Sequence, residues 1–419
     1  WAWPRPSGTW RRCCDSAAGW RADNRAMQPP ARSVALLLNV AHAFDHLFLL
    51  IFATAVAAIA ADFGFSRWED LMPYGVGAFL MFGLGSLPAG KLGDSWGRRP
   101  MMLVFFFGMG ASALLAAATQ TAWQLAAALS LLGAFSAIYH PVGIPMLVQG
   151  AAKPGATIGI NGLSGNLGIA GAAMATGFLV HLAGWRAAFV VPGLLCIALG
   201  VLFARLVPAE AQPPSRRKAA TAIVLAPGQL ARVLVVMTVA SATAGLLFNL
   251  TTNGNAQFLS ERLQGLVHDP ATIGLLLAGV YALASLSQVV VGRLLDRVPL
   301  KRLQLGIVLC QAPLLALASQ AQGWWLYAAL LGVMVLIFGA IPFTDAVIVR
   351  YVDDHMRSRV AGLRLTLSLG FSSLAVWALG PVVKSAGFGT LFLWMAGISL
   401  VTAATLLAMP GEPQRATAA

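Results

Sequence analysis

Charged side chains are scarce in this sequence. Only 10% of the 419 residues are Asp, Glu, Lys or Arg, whereas 58% are hydrophobic. Soluble chains carry roughly 25% charged residues, so this chain has too few charges to cover the surface of a soluble protein of its length. We therefore predict that lipid covers most of that surface and that the chain is a polytopic membrane protein.

Acidic residues and cysteines are also few. The sequence holds 15 Asp and Glu against 28 Lys and Arg, which gives a net charge of +13, and it has 4 Cys. In a soluble protein this excess would indicate nucleic acid, but the cytoplasmic loops of membrane proteins collect Lys and Arg. We therefore predict a lipid bilayer, and no nucleic acid, as a partner. The cysteines form neither a metal-ligand spacing nor a disulfide framework.

The motifs of enzymes are missing as well. The sequence contains no recognisable nucleophile motif, metal cluster or phosphate-binding loop, and its glycine-rich turns join hydrophobic segments instead of a strand and a helix. It therefore predicts no catalytic residues, no cofactor and no metal ion. We expect that the chain is not an enzyme.

Twelve apolar segments along the chain are near the length of about 20 residues that a membrane span needs. They lie at about 33–61, 71–92, 101–118, 123–148, 158–182, 187–207, 231–259, 273–295, 303–319, 324–349, 360–383 and 391–409. A basic, proline-rich stretch divides them six and six, which is typical of an exposed connection. We predict an all-α membrane protein with two six-helix bundles at 34–207 and 230–410. A cytoplasmic loop, 208–229, joins them, and tails lie at 1–33 and 411–419.

A short glycine-rich charged turn separates the second and third apolar segments. Its sequence is Gly90-Lys91-Leu92-Gly93-Asp94-Ser95-Trp96-Gly97-Arg98-Arg99-Pro100. A weaker copy follows 202 positions later, close to half the chain length, as Gly292-Arg293-Leu294-Leu295-Asp296-Arg297. One charged turn used twice at this spacing indicates two related halves.

The positive charges predict the orientation of the spans. If both termini are cytoplasmic, the opposite side keeps only four of the 28 Lys and Arg, namely Arg67, Arg186, Arg262 and Lys384. Because positive residues concentrate on the cytoplasmic side, we predict that both termini and both charged turns are cytoplasmic.

The tail before the first span differs from the rest of the chain. It is rich in Trp and Arg, it lacks an apolar core segment, and its first Met is Met27. It is therefore not a secretory signal peptide. We expect residues 1–26 to come from an over-extended reading frame or a fragment boundary. The alternative is a basic tail that binds anionic lipid.

The spans, the basic central loop and the charged turn together resemble the major facilitator superfamily. That family's signature between spans two and three reads Gly-x-Leu-Ala-Asp-Arg-x-Gly-Arg-Lys. The residues that fit it are Gly90, Leu92, Asp94, Gly97, Arg98 and Arg99, whereas Gly93 and Ser95 replace the usual Ala and Arg. The second copy keeps Gly292, Leu294, Asp296 and Arg297. The resemblance covers about 34–410 and implies two bundles related by a pseudo-two-fold axis.

Within the superfamily, several stretches resemble the fosmidomycin-resistance type of drug exporter. They are the first span with its His and Asp residues, Tyr139-His140-Pro141 in span four, and Ser164-Gly165-Asn166-Leu167-Gly168 in span five. Ala172 and Ala173 stand where the span-five motif of antiporters has Gly-Pro. The resemblance implies export of small molecules against proton entry across a bacterial-type inner membrane.

The resemblance also implies that the charged turn is a latch, which holds the inner face shut in one conformation. Asp94 would contact the opposite half, with Arg359 or Arg364 as its partner. The other gating residues would be Gly90, Gly97, Arg98, Arg99, Gly292, Asp296 and Arg297. The alternative is a solvated loop whose positive charge only sets the topology.

Ionisable residues inside spans are costly to bury and are therefore functional candidates. His42, Asp45 and His46 lie on one face of the first helix because they are three and four residues apart. We predict that this cluster loads and releases a proton, with Asp45 as the preferred candidate for the proton carrier and His42 as the next candidate. The alternative is a structural polar network that fixes span one against span four or five.

Two more residues complete the predicted proton-coupling set. His140 precedes Pro141, which bends span four, so His140 either points into a cavity or is a core histidine at a kink. Asp345 follows Pro342 in span ten. It is either a second proton site or the ion-pair partner of Arg350.

Polar residues within the spans are candidates for substrate binding. We predict the set Tyr139, Asn161, Asn166, Asn249, Asn253 and Gln288. The glycines of span five favour close packing of helices. The polar stretch around Gly254 in span seven predicts local unwinding that faces a cavity, and the alternative is a helix end that meets water.

These observations favour a secondary transporter that exports a small drug-like or anionic molecule by proton-coupled alternating access. The alternatives are a proton symporter that imports a small metabolite and, from a different class, a sensor that does not transport. We expect a monomer whose partners are a small-molecule substrate, protons and lipid.

Overall fold

The computed structural model describes residues 32–149, 154–209, 228–295, 297–351 and 354–410. Within these ranges the chain is helical apart from short connections. We call 32–209 the first half and 228–410 the second half. Residues 1–31 of the predicted N-terminal tail, most of the central loop, Asp296 and the predicted tail at 411–419 lie outside the described residues.

The first half contains six long helices in chain order. They are α1 (Arg32–Asp62), α2 (Val76–Ser95), α3 (Arg98–Ala117), α4 (Ala122–Ser136), α5 (Pro154–Ala183) and α6 (Trp185–Leu206). A short helix, Trp68–Leu71, and a 3₁₀ turn, Met72–Gly75, lead into α2. A π-helical turn, Tyr139–Gly143, and a short helix, Ile144–Val148, extend α4. These bounds follow the predicted spans closely.

The second half begins with three long helices, α7 (Gln229–Arg262), α8 (Pro270–Leu295) and α9 (Leu300–Gln320). It continues with α10 (Gly323–Ala340), which Pro342–Tyr351 extends, and ends with α11 (Asp354–Leu407). The 54 residues of α11 would measure about 80 Å as one straight helix, far more than a bilayer of about 30 Å. Gly387 breaks it with φ 75° and ψ 167°, a conformation that glycine adopts without steric cost. The break falls between predicted spans eleven and twelve.

The described residues contain 11 helices that are long and apolar enough to cross a membrane, and α11 with its break is one of them. Many large apolar side chains on these helices are exposed, among them Leu283, Leu286 and Leu182. Trp123 and Trp325 are 76% and 82% exposed near the starts of α4 and α10, as in the aromatic belts of membrane proteins. The chain is therefore an integral membrane protein. The count of twelve spans and the symmetry of two bundles stay predictions.

The two halves meet mainly along two helix pairs, α5 with α8 and α2 with α11. Between α5 and α8 the backbones come close at two glycines. A Cβ added to Gly177 would lie 2.5 Å from the carbonyl oxygen of Pro270, and one on Gly274 would lie 2.4 Å from that of Ala173. Small residues thus permit the contact between halves, as they commonly do between membrane helices.

One end of the molecule holds contacts between the halves, and we call it the closed end. Lys384 of α11 forms an ion pair with Asp70 (Nζ to Oδ1, 2.5 Å), and Trp68 stacks on Phe388 with ring centroids 6.2 Å apart. A Cβ on Gly380 would lie 2.2 Å from the carbonyl oxygen of Glu69. The opposite end carries the two charged turns, and we call it the turn end.

The predicted unwinding of α7 is wrong. The helix runs without interruption from Gln229 to Arg262. Its polar side chains bond to carbonyl oxygens one turn earlier: Thr252 Oγ1 donates to Phe248 O (2.7 Å) and Asn253 Nδ2 to Asn249 O (3.0 Å). The donors of these two side chains bond to their own helix, so the polar stretch does not require an unwound backbone.

Candidate functional site

The predicted cluster on α1 lies on one face of that helix and points into the first half. Asp45 is fully buried and His42 is 5% exposed, whereas His46 is half-buried. A helix repeats every 3.6 residues, so the three side chains follow each other up the same face. The sequence prediction that they share a face is confirmed.

A π-helical turn, unlike the α-helix that holds the other three residues, adds His140 to this cluster. The five residues Tyr139–Gly143 form a π-helical turn after α4, and Pro141 within it has no backbone N–H to donate. Such turns are rare and are frequent at functional sites. His140 Nε2 lies 3.6 Å from Asp45 Oδ2, and its ring is perpendicular to that of His42 with centroids 5.0 Å apart.

Asp45 is satisfied on one oxygen only. Ser136 of α4 donates its hydroxyl to Oδ1 through a short hydrogen bond. In the described part of the chain, no hydrogen-bond donor reaches the buried Oδ2. A carboxylate without full pairing in a non-aqueous interior is costly, so His140 is the group best placed to share its proton or its charge.

His42 has a fixed orientation because both of its ring nitrogens are engaged. Nδ1 lies 2.7 Å from the carbonyl oxygen of Asn161, which can only accept. Nδ1 therefore carries a hydrogen, and in the neutral ring Nε2 holds a free lone pair. His46 Nε2 lies 3.1 Å from that nitrogen.

Tyr139 and Asn161 form a buried hydrogen-bonded network next to the His42 ring. The Tyr139 hydroxyl donates to Leu38 O (2.7 Å) and accepts from Asn161 Nδ2 (2.8 Å). The same amide nitrogen also contacts Asn39 Oδ1 (2.9 Å). Tyr139 stacks on the His42 ring with centroids 4.7 Å apart. Both residues are almost fully buried, so this network positions His42, and their predicted contact with substrate stays a prediction.

The other predicted substrate residues lie in different parts of the interior. Asn249 of α7 donates to Ser372 of α11 (2.9 Å), and Asn253 bonds within α7. Asn166 of α5 is 4% exposed, and its Nδ2 finds no acceptor among the described residues. Gln288 of α8 faces α5, since its Oε1 would lie 3.0 Å from a Cβ on Gly162. Their roles in binding are untested.

The charged turn braces the first half through its arginines. Gly97 begins α3 with φ 118°, which favours glycine. Arg98 Nη1 donates to Pro145 O (3.2 Å) and Gln149 Oε1 (3.0 Å). Arg99 donates to Val207 O (2.6 Å) and Ala204 O (2.8 Å) at the end of α6. Cations at helix C-termini pair with carbonyls that the helix leaves unbonded.

Among the described residues, Asp94 does not contact Arg364, one of its two predicted partners. Asp94 is exposed near the end of α2, whose backbone also includes Gly90, and among the described residues it makes no ion pair. Arg364 donates through a short hydrogen bond to Thr344 Oγ1. The side chains of Arg359 and Asp345 lie outside the described residues, so the latch and the second proton site stay predictions.

The second copy of the turn keeps one of these bracing contacts. Lys301 Nζ donates to the carbonyl oxygens of Leu407 (2.7 Å) and Met409 (3.1 Å) at the end of α11. Gly292 lies near the end of α8 and Arg297 is exposed just beyond it. Their predicted gating role is untested.

Sequence reasoning missed two groups of residues near the site and its closure. Ser136 bonds to Asp45 from a helix that is distant in sequence, and one serine in an apolar span gives no signal of this. Asp70 and Lys384 form the ion pair between the halves at the closed end. In the predicted orientation, Lys384 is one of the few cations on its side of the membrane. This rarity could have marked Lys384 as a candidate for an ion pair.

Ionisable groups buried between membrane helices mark substrate, ion or proton pathways in many membrane proteins, transporters among them. Comparison with known families agrees with this. Residues 38–266, more than half of the chain, match the Major Facilitator Superfamily. The chain belongs to this superfamily, whose members are transporters and not enzymes.

A curated relative shares part of the sequence. Over 162 residues the chain is 29% identical to a "Probable hexose phosphate transport protein" of Chlamydia pneumoniae. The matched stretch covers 36% of this chain and only 33% of that relative.

Proposed function

We propose that the protein is a secondary active transporter that exports a small anionic or drug-like molecule in exchange for protons. The proposal rests on the position and surroundings of Asp45. It is fully buried in a membrane helix, one of its oxygens lacks a donor among the described residues, and His140 lies 3.6 Å away. Buried ionisable residues of this kind mark proton and ion pathways in transporters.

The surroundings of Asp45 support a role in proton coupling. His140 lies next to Asp45, and Tyr139 of the same π turn interacts with it electrostatically. His42 and His46 contact the His140 ring, and Arg364 of α11 interacts electrostatically with His140. Moving a proton changes the net charge of this cluster in a medium of low dielectric constant. We propose that the cost of burying that charge differs between the two conformations of the transport cycle, which would couple proton binding to conformational change.

Contacts at the two ends support alternating access. Lys384 and Asp70 join the halves at the closed end. At the turn end, Arg99 and Lys301 bond within their own halves. The charge distribution favours a cytoplasmic turn end, in a membrane of the bacterial inner type, with the protein acting as a monomer. In the opposite state we expect Asp94 to latch the turn end shut, with Arg364 or Arg359 as partner.

The substrate site in this proposal lies between the halves. Gln288 and Asn166 present amides from α8 and α5, and Arg364 supplies a positive charge beside His140. An anionic group would be attracted to that charge. The resemblance to the fosmidomycin-resistance type supports export of a phosphonate-like or drug-like compound.

A second candidate is import of a phosphorylated metabolite with protons. The name of the curated relative, a probable hexose phosphate transport protein, favours it. Both candidates use the same fold and the same Asp45, so only the direction of flux separates them. A sensor that does not transport has no specific observation in its favour.

The experiment is a susceptibility and uptake screen of cells with and without the protein. It uses fosmidomycin as an export probe and radiolabelled glucose 6-phosphate as an import probe. For each responding compound, flux into proteoliposomes is measured under an imposed pH gradient. We expect inward proton movement to drive the compound outward and Asp45→Asn to abolish the effect.

Asp269→Asn is the matched control, because Asp269 lies outside the spans and caps α8 through Thr272 N. It should transport like the wild type. Proton movement that drives the compound inward would replace the exporter with the symporter. An Asp45→Asn variant with undiminished coupling would refute the role of Asp45.

A further inference from the structure

Three histidines from two segments bring their ring nitrogens together inside the membrane part of the protein. The candidate ligand atoms of His42, His46 and His140 all lie within 4.8 Å of one another. His42 and His46 are four residues apart on α1, the spacing that places two imidazoles on one face of a zinc-binding helix. The sequence predicted no metal site because His140 joins them only through the π turn.

The spacing of the first two nitrogens is close to that of a metal site. His42 Nε2 and His46 Nε2 are 3.1 Å apart. Two nitrogens bound at 2.0–2.1 Å to one tetrahedral zinc ion lie about 3.4 Å apart. A small rotation of either ring therefore reaches a bidentate geometry, and the ion would replace the hydrogen bond between the two rings.

The groups around the rings also fit a metal ligand set. The His42 Nδ1–H donates to the carbonyl oxygen of Asn161 (2.7 Å), which leaves Nε2 available. Metal-bound histidines almost always donate their other N–H to a carbonyl or carboxylate in this way. Asp45 Oδ2, buried and without a donor among the described residues, lies 3.6 Å from His140 Nε2. This carboxyl oxygen is a further candidate ligand atom beside the three rings.

The site is accessible to an ion. The His140 side chain is 20% exposed and His46 is half-buried, so two of the three rings reach open space. Three nitrogen ligands leave a fourth position open, as in exchangeable zinc sites. Nitrogen donors disfavour Mg²⁺ and Ca²⁺, which take oxygen ligands.

We propose that His42, His46 and His140 bind one divalent transition-metal ion of the kind that prefers imidazole, with Zn²⁺ and Ni²⁺ as the probes. The ion would join α1 to the π turn, both in the first half. Binding therefore requires neither contact between the halves nor proton-coupled transport. The three histidines also belong to the cluster proposed above for proton coupling, but metal binding in detergent is measured without transport, so each proposal can fail without the other.

The test uses the full chain, purified in detergent without a polyhistidine tag. Equilibrium dialysis against Zn²⁺, Ni²⁺ and Mg²⁺, followed by elemental analysis, gives the number of ions bound per chain. We expect one Zn²⁺ or Ni²⁺ and no Mg²⁺. His46→Gln should weaken Zn²⁺ binding at least tenfold. The matched control replaces the three other histidines, as His181→Gln, His268→Gln and His355→Gln in one chain, and it should bind like the wild type.

A second measurement needs no variant and covers the case in which His46→Gln does not fold. Co²⁺ bound to the wild type should give the intense visible absorption of a four-coordinate ion with nitrogen ligands, and Zn²⁺ should displace it. The proposal is overturned if the wild type binds no ion, if His46→Gln binds as tightly as the wild type, or if the Co²⁺ spectrum is that of the hydrated ion.

Discussion

Lys301 donates from Nζ to the carbonyl oxygen of Met409 (3.1 Å), and this contact repeats one in the first half. There, Arg99 donates from Nε to the carbonyl oxygen of Val207 (2.6 Å). Each residue of the later pair follows its counterpart by 202 positions, the offset that also separates the two charged turns. In both halves a cation just after the turn therefore binds the end of the last helix. The repeat supports the predicted relation between the halves.

We predict that Arg99→Gln lowers the stability of the protein. The guanidinium is half-buried and bonds to two carbonyl oxygens at the end of α6. Losing hydrogen bonds from a charged group costs about 1.5–3 kcal/mol. Thermal unfolding in detergent measures the effect. Arg293→Gln, at an exposed position of the second turn, is the control and should unfold like the wild type; equal stability of both variants would contradict the bracing role.

The Asp94→Asn variant should fold normally and transport slowly. Asp94 is exposed and makes no ion pair among the described residues of this state, so removing its charge should leave the melting temperature unchanged. If it latches the turn end in the opposite state, the transport rate in proteoliposomes should fall severalfold. Asp269→Asn again serves as the control. Full transport by Asp94→Asn would favour a loop that only sets topology.

Breaking the ion pair at the closed end should open that end. The side chains of Lys384 and Asp70 are 43% and 35% exposed, so the pair contributes at most about 1 kcal/mol, enough to shift an equilibrium between states. Gln257→Cys, placed where Gln257 now contacts Ala53 O in a chain without native cysteines, reports the opening. A membrane-impermeant maleimide should label it faster in Lys384→Gln.

The exchange of the two charges is the control for this experiment. Asp70→Lys combined with Lys384→Asp should restore the slow labelling, because the pair is re-formed with reversed sign. Labelling that stays fast in the exchanged variant, or that never changes, would mean that other contacts hold the end closed.

Gly177→Ala should weaken the contact between α5 and α8. The added methyl would lie 2.5 Å from Pro270 O, a backbone atom that cannot move aside alone. Such overpacking costs about 1–3 kcal/mol. Gly171→Ala on the same helix is the matched control, since its Cβ would meet only Leu47 Cδ1 at 3.9 Å. The unfolding temperature and the transport rate should both fall in Gly177→Ala and stay unchanged in Gly171→Ala. An effect of equal size in Gly171→Ala would mean that alanine acts on α5 alone and not on its contact with α8.

Helix positions and the first members of the site could be predicted from the sequence, because both depend on local spacing. Hydrophobic length placed the helices within a few residues, and the spacing of His42, Asp45 and His46 placed them on one face. Ser136 and the carbonyl of Asn161 could not be predicted, since they contact the cluster from helices far away in the sequence. The unwinding of α7 was predicted wrongly, because a helix whose polar side chains bond to its own backbone has the same composition as an unwound segment.

The π turn after α4 lies between the intramembrane histidine and the surface at the turn end. His140 belongs to this turn, and Pro145 and Gln149, which bind Arg98, follow it within nine residues. Removing one residue from a helix rotates everything beyond it by about 100°. A single deletion between Tyr139 and Gly143 would therefore uncouple the buried ring from the arginine anchor while leaving the length and hydrophobicity of the span almost unchanged. Hydropathy alone would not register such a change.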